Sequence, residues 1–188
     1  EALVRRYHEQ GNIAATIVRP GDVYGPGDRV SLLKLAPLLE HGGLMQVNGG
    51  HALGAFAYVE NLVDGMILAA TADRAKGEAY VLTDGIRLTW RDYLQRLCAE
   101  LGRPGPRLSV PSRPAYALAG VLETVYRALH ITSRPPITRY LIAHLSKDFH
   151  FSIEKAQQQL GYTPAVDFAT AMVRTAAWYR DTVRHQAP

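Results

Sequence analysis

Apolar positions along the chain follow two rhythms, and the switching between them predicts alternating helices and strands. In residues 1–10, Leu3, Val4 and Tyr7 fall at helical spacing, and Gly11-Asn12 ends the helix. Residues 13–18 form a short β-branched run suited to a buried strand. Residues 31–41 place Leu32, Leu35, Leu38 and Leu39 on one helical face, and Gly42-Gly43 stops them. Apolar residues 44–47 and 56–59 flank Asn48-Gly49-Gly50, a hairpin-type signal. A helix is expected from Tyr58 to about Asp73, with Leu62, Val63, Met66, Ile67 and Ala70 inward. Residues 78–83 return as a strand, turned by Asp84-Gly85.

The second half repeats the pattern. Thr89 and Asp92 make a capping-box-like start to a helix reaching Leu101, closed by Gly102 and Pro104. Residues 107–110 suit a short strand, and residues 115–129 form the most apolar helix, with Leu118, Val121, Leu122, Val125 and Leu129. Arg134-Pro135-Pro136 leads into another helix, and 149–152 into a strand. Ser152 then caps a helix ending at Leu160-Gly161, and Asp167 caps a last one with Phe168, Met172, Ala176 and Tyr179 inward.

Composition narrows the picture. Hydrophobic residues make up 47% and charged residues 20% of 188, as in a soluble globular chain. No apolar run reaches the roughly 18 residues of a membrane span, so membrane contact is not expected and the cytoplasm is the expected compartment. The single cysteine, Cys98, excludes an internal disulfide and a cysteine-rich metal site, and no metal is expected. A net charge of +4 comes mostly from scattered arginines rather than a basic run with interleaved aromatics, so no nucleic-acid partner is expected. The chain opens without Met inside an amphipathic helix and is read as a fragment, with no signal peptide in it. His-Glu-x-x-His, Cys-x-x-Cys, Gly-x-Ser-x-Gly and Walker-type motifs are absent.

The stretch from Arg19 to Asp28 carries the candidate chemistry. Pro20 and Pro26 stiffen it, while Gly21, Gly25 and Gly27 permit backbone geometries closed to other residues. Such a loop can hold backbone groups against a flat ligand; an ordinary strand-to-helix turn needs the same residue types. His51 is either a ligand contact or a solvated loop histidine. Arg139 either enters a substrate cleft or lies on the surface, and Trp90 is either a substrate platform or packing beneath a helix start.

Arg19-Pro20-x-x-Val23-Tyr24-Gly25-Pro26-Gly27-Asp28 after a strand resembles the segment that follows the catalytic helix in extended short-chain dehydrogenase/reductases. This is the superfamily of NAD-dependent epimerases and dehydratases. Leu160-Gly161-Tyr162-Thr163-Pro164 resembles its C-terminal signature. Tyr58-Val59-Glu60-Asn61-Leu62-Val63-Asp64-Gly65 is similar to the form in 3β-hydroxysteroid dehydrogenase-like members. The resemblance covers the family's C-terminal half. It implies the C-terminal part of a Rossmann-like doubly wound parallel sheet plus a smaller mixed α/β substrate-binding lobe. Residues 1–85 would belong to the dinucleotide-binding domain with its hairpin insertion, and 86–188 mostly to the small lobe.

By the same resemblance, Pro20, Gly21 and Val23 line the nicotinamide and Tyr24 borders the substrate cleft; His51 and Arg139 are kept as further candidate substrate contacts on their own positions in the chain. The cofactor would be NAD or NADP, with NAD favoured. The partners would be a hydrophobic, sterol-like secondary alcohol or ketone, the missing N-terminal Rossmann half and a second copy in a homodimer. No tyrosine here has a lysine four positions later, so no catalytic residue is assigned; the Tyr and Lys are expected upstream of Glu1, and the isolated chain is expected to be inactive. Gly54 stands where many nucleotide-sugar epimerases have a phosphate-binding arginine. A nucleotide-sugar epimerase or dehydratase is the alternative enzyme, and a non-catalytic binding module the alternative outside enzymology.

Overall fold

In the computed structural model, residues 1–29, 31–33, 35, 38 and 44–186 are described, the last four by backbone alone. In chain order the elements are α1 (Ala2–Glu9), β1 (Ile17–Pro20), β2 (Asp22–Tyr24), β3 (Met45–Val47), β4 (Leu53–Gly54), β5 (Phe56–Tyr58), α2 (Val59–Thr71), β6 (Ala79–Leu82) and β7 (Leu88–Thr89). They continue as α3 (Trp90–Glu100), β8 (Leu108–Val110), α4 (Ser112–Ala128), α5 (Arg139–Ser146), α6 (Glu154–Leu160) and α7 (Phe168–Gln186). The helix expected over 31–41 lies largely outside the described residues, although Leu32 is buried.

Among the described residues, three strand pairs are parallel: β1 with β6, β2 with β5, and β3 with β8. The expected hairpin across Asn48-Gly49-Gly50 does not form. β3 and β5 each find a partner far along the chain, and β4 pairs antiparallel with β7. Asn-Gly still turns the chain, Asn48 and Gly49 both having positive φ, but the turn is a short 3-10 segment between strands with different partners.

The chain folds as two compact units, each gathered from separate stretches. Residues 1–33, 55–86 and 150–188 make the first; residues 34–54 and 87–149 make the second. In the first, Leu62 and Ala69 of α2 pack with Tyr80 and Leu82 of β6, Ala156 and Leu160 of α6, and Tyr162. In the second, Val47, Ala119 and Ile142 join β3, α4 and α5.

Helix α2 presents a different face from the one its large apolar residues suggest. Leu62, Gly65 and Ala69 are buried, while Val63, Met66 and Ile67 are about half exposed. Gly65 is the reason: a Cβ there would lie 2.8 Å from Leu82 Cδ1 and 2.9 Å from Tyr162 Cε2, so this small face seats the helix against the sheet. Helix α4 behaves likewise, with Ala119 fully buried and Leu118, Val121 and Val125 exposed. The strand expected at 149–152 is irregular backbone, but Ser152 Oγ does accept from Glu154 N at the start of α6. Thr89 and Asp167 cap α3 and α7 as their positions indicate.

Candidate functional site

The chain changes strand partner at Gly21. Pro20 is paired with Leu82 of β6, and Asp22, two residues on, with Phe56 of β5. Making that switch brings the backbone against the Ala55 carbonyl: Asp22 N donates to Ala55 O at 2.6 Å, and a Cβ on Gly21 would sit 1.8 Å from that oxygen. Gly21 is therefore fixed by close packing rather than by an unusual φ.

Pro20 and Val23 flank this crossing with their side chains exposed, Val23 at 41%. They form an apolar ledge at the carboxyl end of β1, the edge at which open α/β sheets bind ligands. Gly21 between them is half-buried. Asp22, also between them, is half-buried, and its amide is engaged.

Tyr24 is placed differently from its expected position beside a substrate. It is 3% exposed, its ring packs at 5.6 Å from Tyr58 and 6.2 Å from Phe56 and Phe168, and its hydroxyl donates to Asp84 Oδ2 at 3.1 Å. Alternation along β2 explains it: Val23 points to solvent, so Tyr24 must point to the core.

Asp84, which the sequence places in a turn, is the centre of a buried polar network. It accepts from Tyr58 N at 3.0 Å, from Asn61 Nδ2 at 2.9 Å and from Tyr24. Asn61 also donates to Val166 O and accepts from Val166 N, both at 2.9 Å, tying α2 to the segment before α7. Burial pushes the Asp84 carboxyl above its ordinary range, against the pull of the donors from Asn61, Tyr58 and Tyr24. Burial also raises Tyr162, helped by the negative charges of Asp84 and Asp64. The sequence signal was there only in part, since Tyr-Val-Glu-Asn and Thr-Asp-Gly stand 22 residues or more apart and nothing in their spacing joins them.

The other two candidate substrate residues belong to the second unit. His51 is exposed, its ring lying close over Gly49. Arg139 is exposed but engaged: its backbone N and its Nε each donate at 2.8 Å to the two oxygens of Glu123, joining α5 to α4. These contacts hold the Glu123 carboxyl below its usual range, the backbone N–H acting most strongly. Arg139 is thus an inter-helix tie. Trp90 packs edge-on to Tyr93 at 6.0 Å and to His144 at 5.7 Å. Among the described residues, no group of three His, Cys, Asp or Glu is placed to hold a metal, and no helix is long and apolar enough to cross a membrane.

Parallel pairs with helices between them, and a glycine-dependent crossing at a strand's carboxyl end, define an α/β protein of the Rossmann-like class. Residues 1–83 match the model of the NAD-dependent epimerase/dehydratase family. Over those residues the chain carries the pattern of that family, and its relatives include 3β-hydroxysteroid dehydrogenases and short-chain dehydrogenase/reductases. It is 35% identical to the uncharacterized protein YbjS of Escherichia coli K12, covering 88% of this chain and 50% of that protein. A 2-alkyl-3-oxoalkanoate reductase of Stenotrophomonas maltophilia is 28% identical, with 88% and 52% covered. A 3β-hydroxysteroid-dehydrogenase/decarboxylase of Arabidopsis thaliana is 26% identical, with 93% and 42% covered. The crystal structure of gox2253 superimposes with a TM-score of 0.71 at 26% identity, over 97% of this chain and 54% of that one. The chain spans about half the length of the curated relatives it matches.

Proposed function

We propose that the protein carrying this chain is an NAD(P)-dependent oxidoreductase. It would move hydride between nicotinamide and a secondary alcohol or ketone on a hydrophobic, sterol-like substrate. The observation that carries the reading is the exposed Pro20–Val23 ledge at the carboxyl end of β1. In this reading Pro20, Gly21 and Val23 bound the nicotinamide ring, with NAD favoured over NADP. The first unit belongs to the dinucleotide-binding domain and the second to the substrate lobe, which assigns residues 150–188 to the former.

The cofactor supplies the hydride chemistry, and this chain's residues bind and orient. Pro20 and Val23 offer apolar surface to a ring face, which excludes water there, and Gly21 lets the backbone come close. The 188 residues contain no Tyr-x-x-x-Lys, so the acid/base pair comes from another part of the protein. A hydrophobic substrate agrees with the names of two relatives, which act on alkyl-oxoalkanoate and 3β-hydroxysteroid groups. Gly54, buried in β4, offers no side chain to a nucleotide phosphate.

Replacing Val23 tests the reading. In the full-length protein, Val23→Asp sets a carboxylate against the ring, and the cost of desolvating it weakens NADH binding by about tenfold or more. Fluorescence titration measures the loss, and a melting temperature within about 2 °C of the parent shows that an exposed position was changed without unfolding. Unchanged affinity for both NADH and NADPH would refute the assignment. A thermal-shift panel of sterols, 2-alkyl-3-oxoalkanoates and UDP-sugars then ranks substrate classes.

A further inference from the structure

The positive charge of this protein is not spread over both units. The second unit holds eleven Lys and Arg against five Asp and Glu, while the first holds ten against twelve. Within the second unit, an open cavity of about 600 Å³ is walled by Arg91, Gln95, Arg103, Arg107, Ser109 and Gln46. Four-residue spacing puts Arg91, Gln95 and Ala99 on one face of α3, and Arg103 and Arg107 continue the row as the chain turns into β8. Among the described residues, none of the three arginines has a carboxylate partner. Gln46, on the neighbouring strand β3, is 7% exposed, and its Nε2 is sealed from water without an acceptor.

We propose that this cavity binds a compact, multiply charged oxyanion, with phosphate or carboxylate oxygens. Three like charges around one hollow raise the local potential, and an anion relieves their repulsion. Guanidinium groups present paired donors that match such oxygens. The volume lies in the range of small-molecule sites. The inference stands apart from the nicotinamide assignment, since every residue it uses belongs to the second unit.

The test is isothermal titration of the full-length protein with inorganic pyrophosphate and with citrate, in low salt. Saturating NADH and NADPH arms keep any dinucleotide phosphate site filled. One-to-one binding of at least one probe is expected, weakening by about tenfold or more in the double variant Arg103→Gln/Arg107→Gln and little changed in Arg134→Gln, an exposed arginine of the same unit outside the cavity. Added salt should weaken the binding. Absence of binding by both probes, or binding that survives the double variant, overturns the proposal. Because Arg103 and Arg107 are exposed, circular dichroism of the double variant should match the parent, so that lost binding is not lost folding.

Discussion

Removing the Asp84 carboxylate should damage the first unit more than its position in a turn suggests. In Asp84→Ala the Tyr58 amide and the Tyr24 hydroxyl lose their acceptor in the core, and Asn61 Nδ2 keeps only Val166 O. An orphaned buried donor costs about 1–3 kcal/mol. Two such donors, with partial loss at the third, give about 4 kcal/mol, offset in part by no longer burying a charged group. Asp84→Asn is milder, at about 1 kcal/mol, because the amide oxygen still accepts from Tyr58 and Asn61, and the Tyr24 hydroxyl can rotate to accept from the new NH₂.

Urea unfolding of the full-length protein, with hydrogen exchange of peptides covering residues 56–62 as the local readout, separates these cases. A cost below about 1 kcal/mol for the alanine variant, or equal costs for the two, would show that the network is not what holds this corner. The pH dependence has a definite sign. Because the folded carboxyl lies above its unfolded value, the folded state holds its proton more tightly. This group's contribution is most favourable in acid, below the unfolded value, and is lost as pH rises through the folded one. Asp84→Asn removes that dependence, so the parent should gain on the variant as pH falls through the carboxylate range, and the opposite trend would reverse the assigned cause.

Gly21→Ala should cost about 3 kcal/mol, at the upper end of overpacking penalties, because the new methyl meets backbone oxygen at Ala55 rather than a movable side chain. The shift in the urea midpoint checks it, and a near-neutral result would mean the crossing is looser than its 2.6 Å contact. Thr89→Ala should lower stability by about 1 kcal/mol, since it deletes the hydroxyl that accepts from Asp92 N and donates to the Asp92 carboxylate. Thr89→Ser should recover most of that.

Much of this protein was legible in one dimension. The alternation of strand and helix, the caps at Thr89 and Asp167 and the motif around Pro20 are local, and local periodicity and hydrogen bonding largely decide them. Pairing was not legible, because Leu44–Val47 and Phe56–Val59 look like two arms of a hairpin until each is seen beside a strand from elsewhere in the chain. Nor was the buried face of α2, where Gly65, the smallest residue available, outranks Val63, Met66 and Ile67 by allowing the closest approach. The Asp84 network and the arginine-walled cavity likewise join residues distant in sequence, and only folding brings them together. Sequence alone thus determined most of the kinds of element and the family resemblance, whereas tertiary structure decided partners and faces, since burial depends on distances that no local pattern contains.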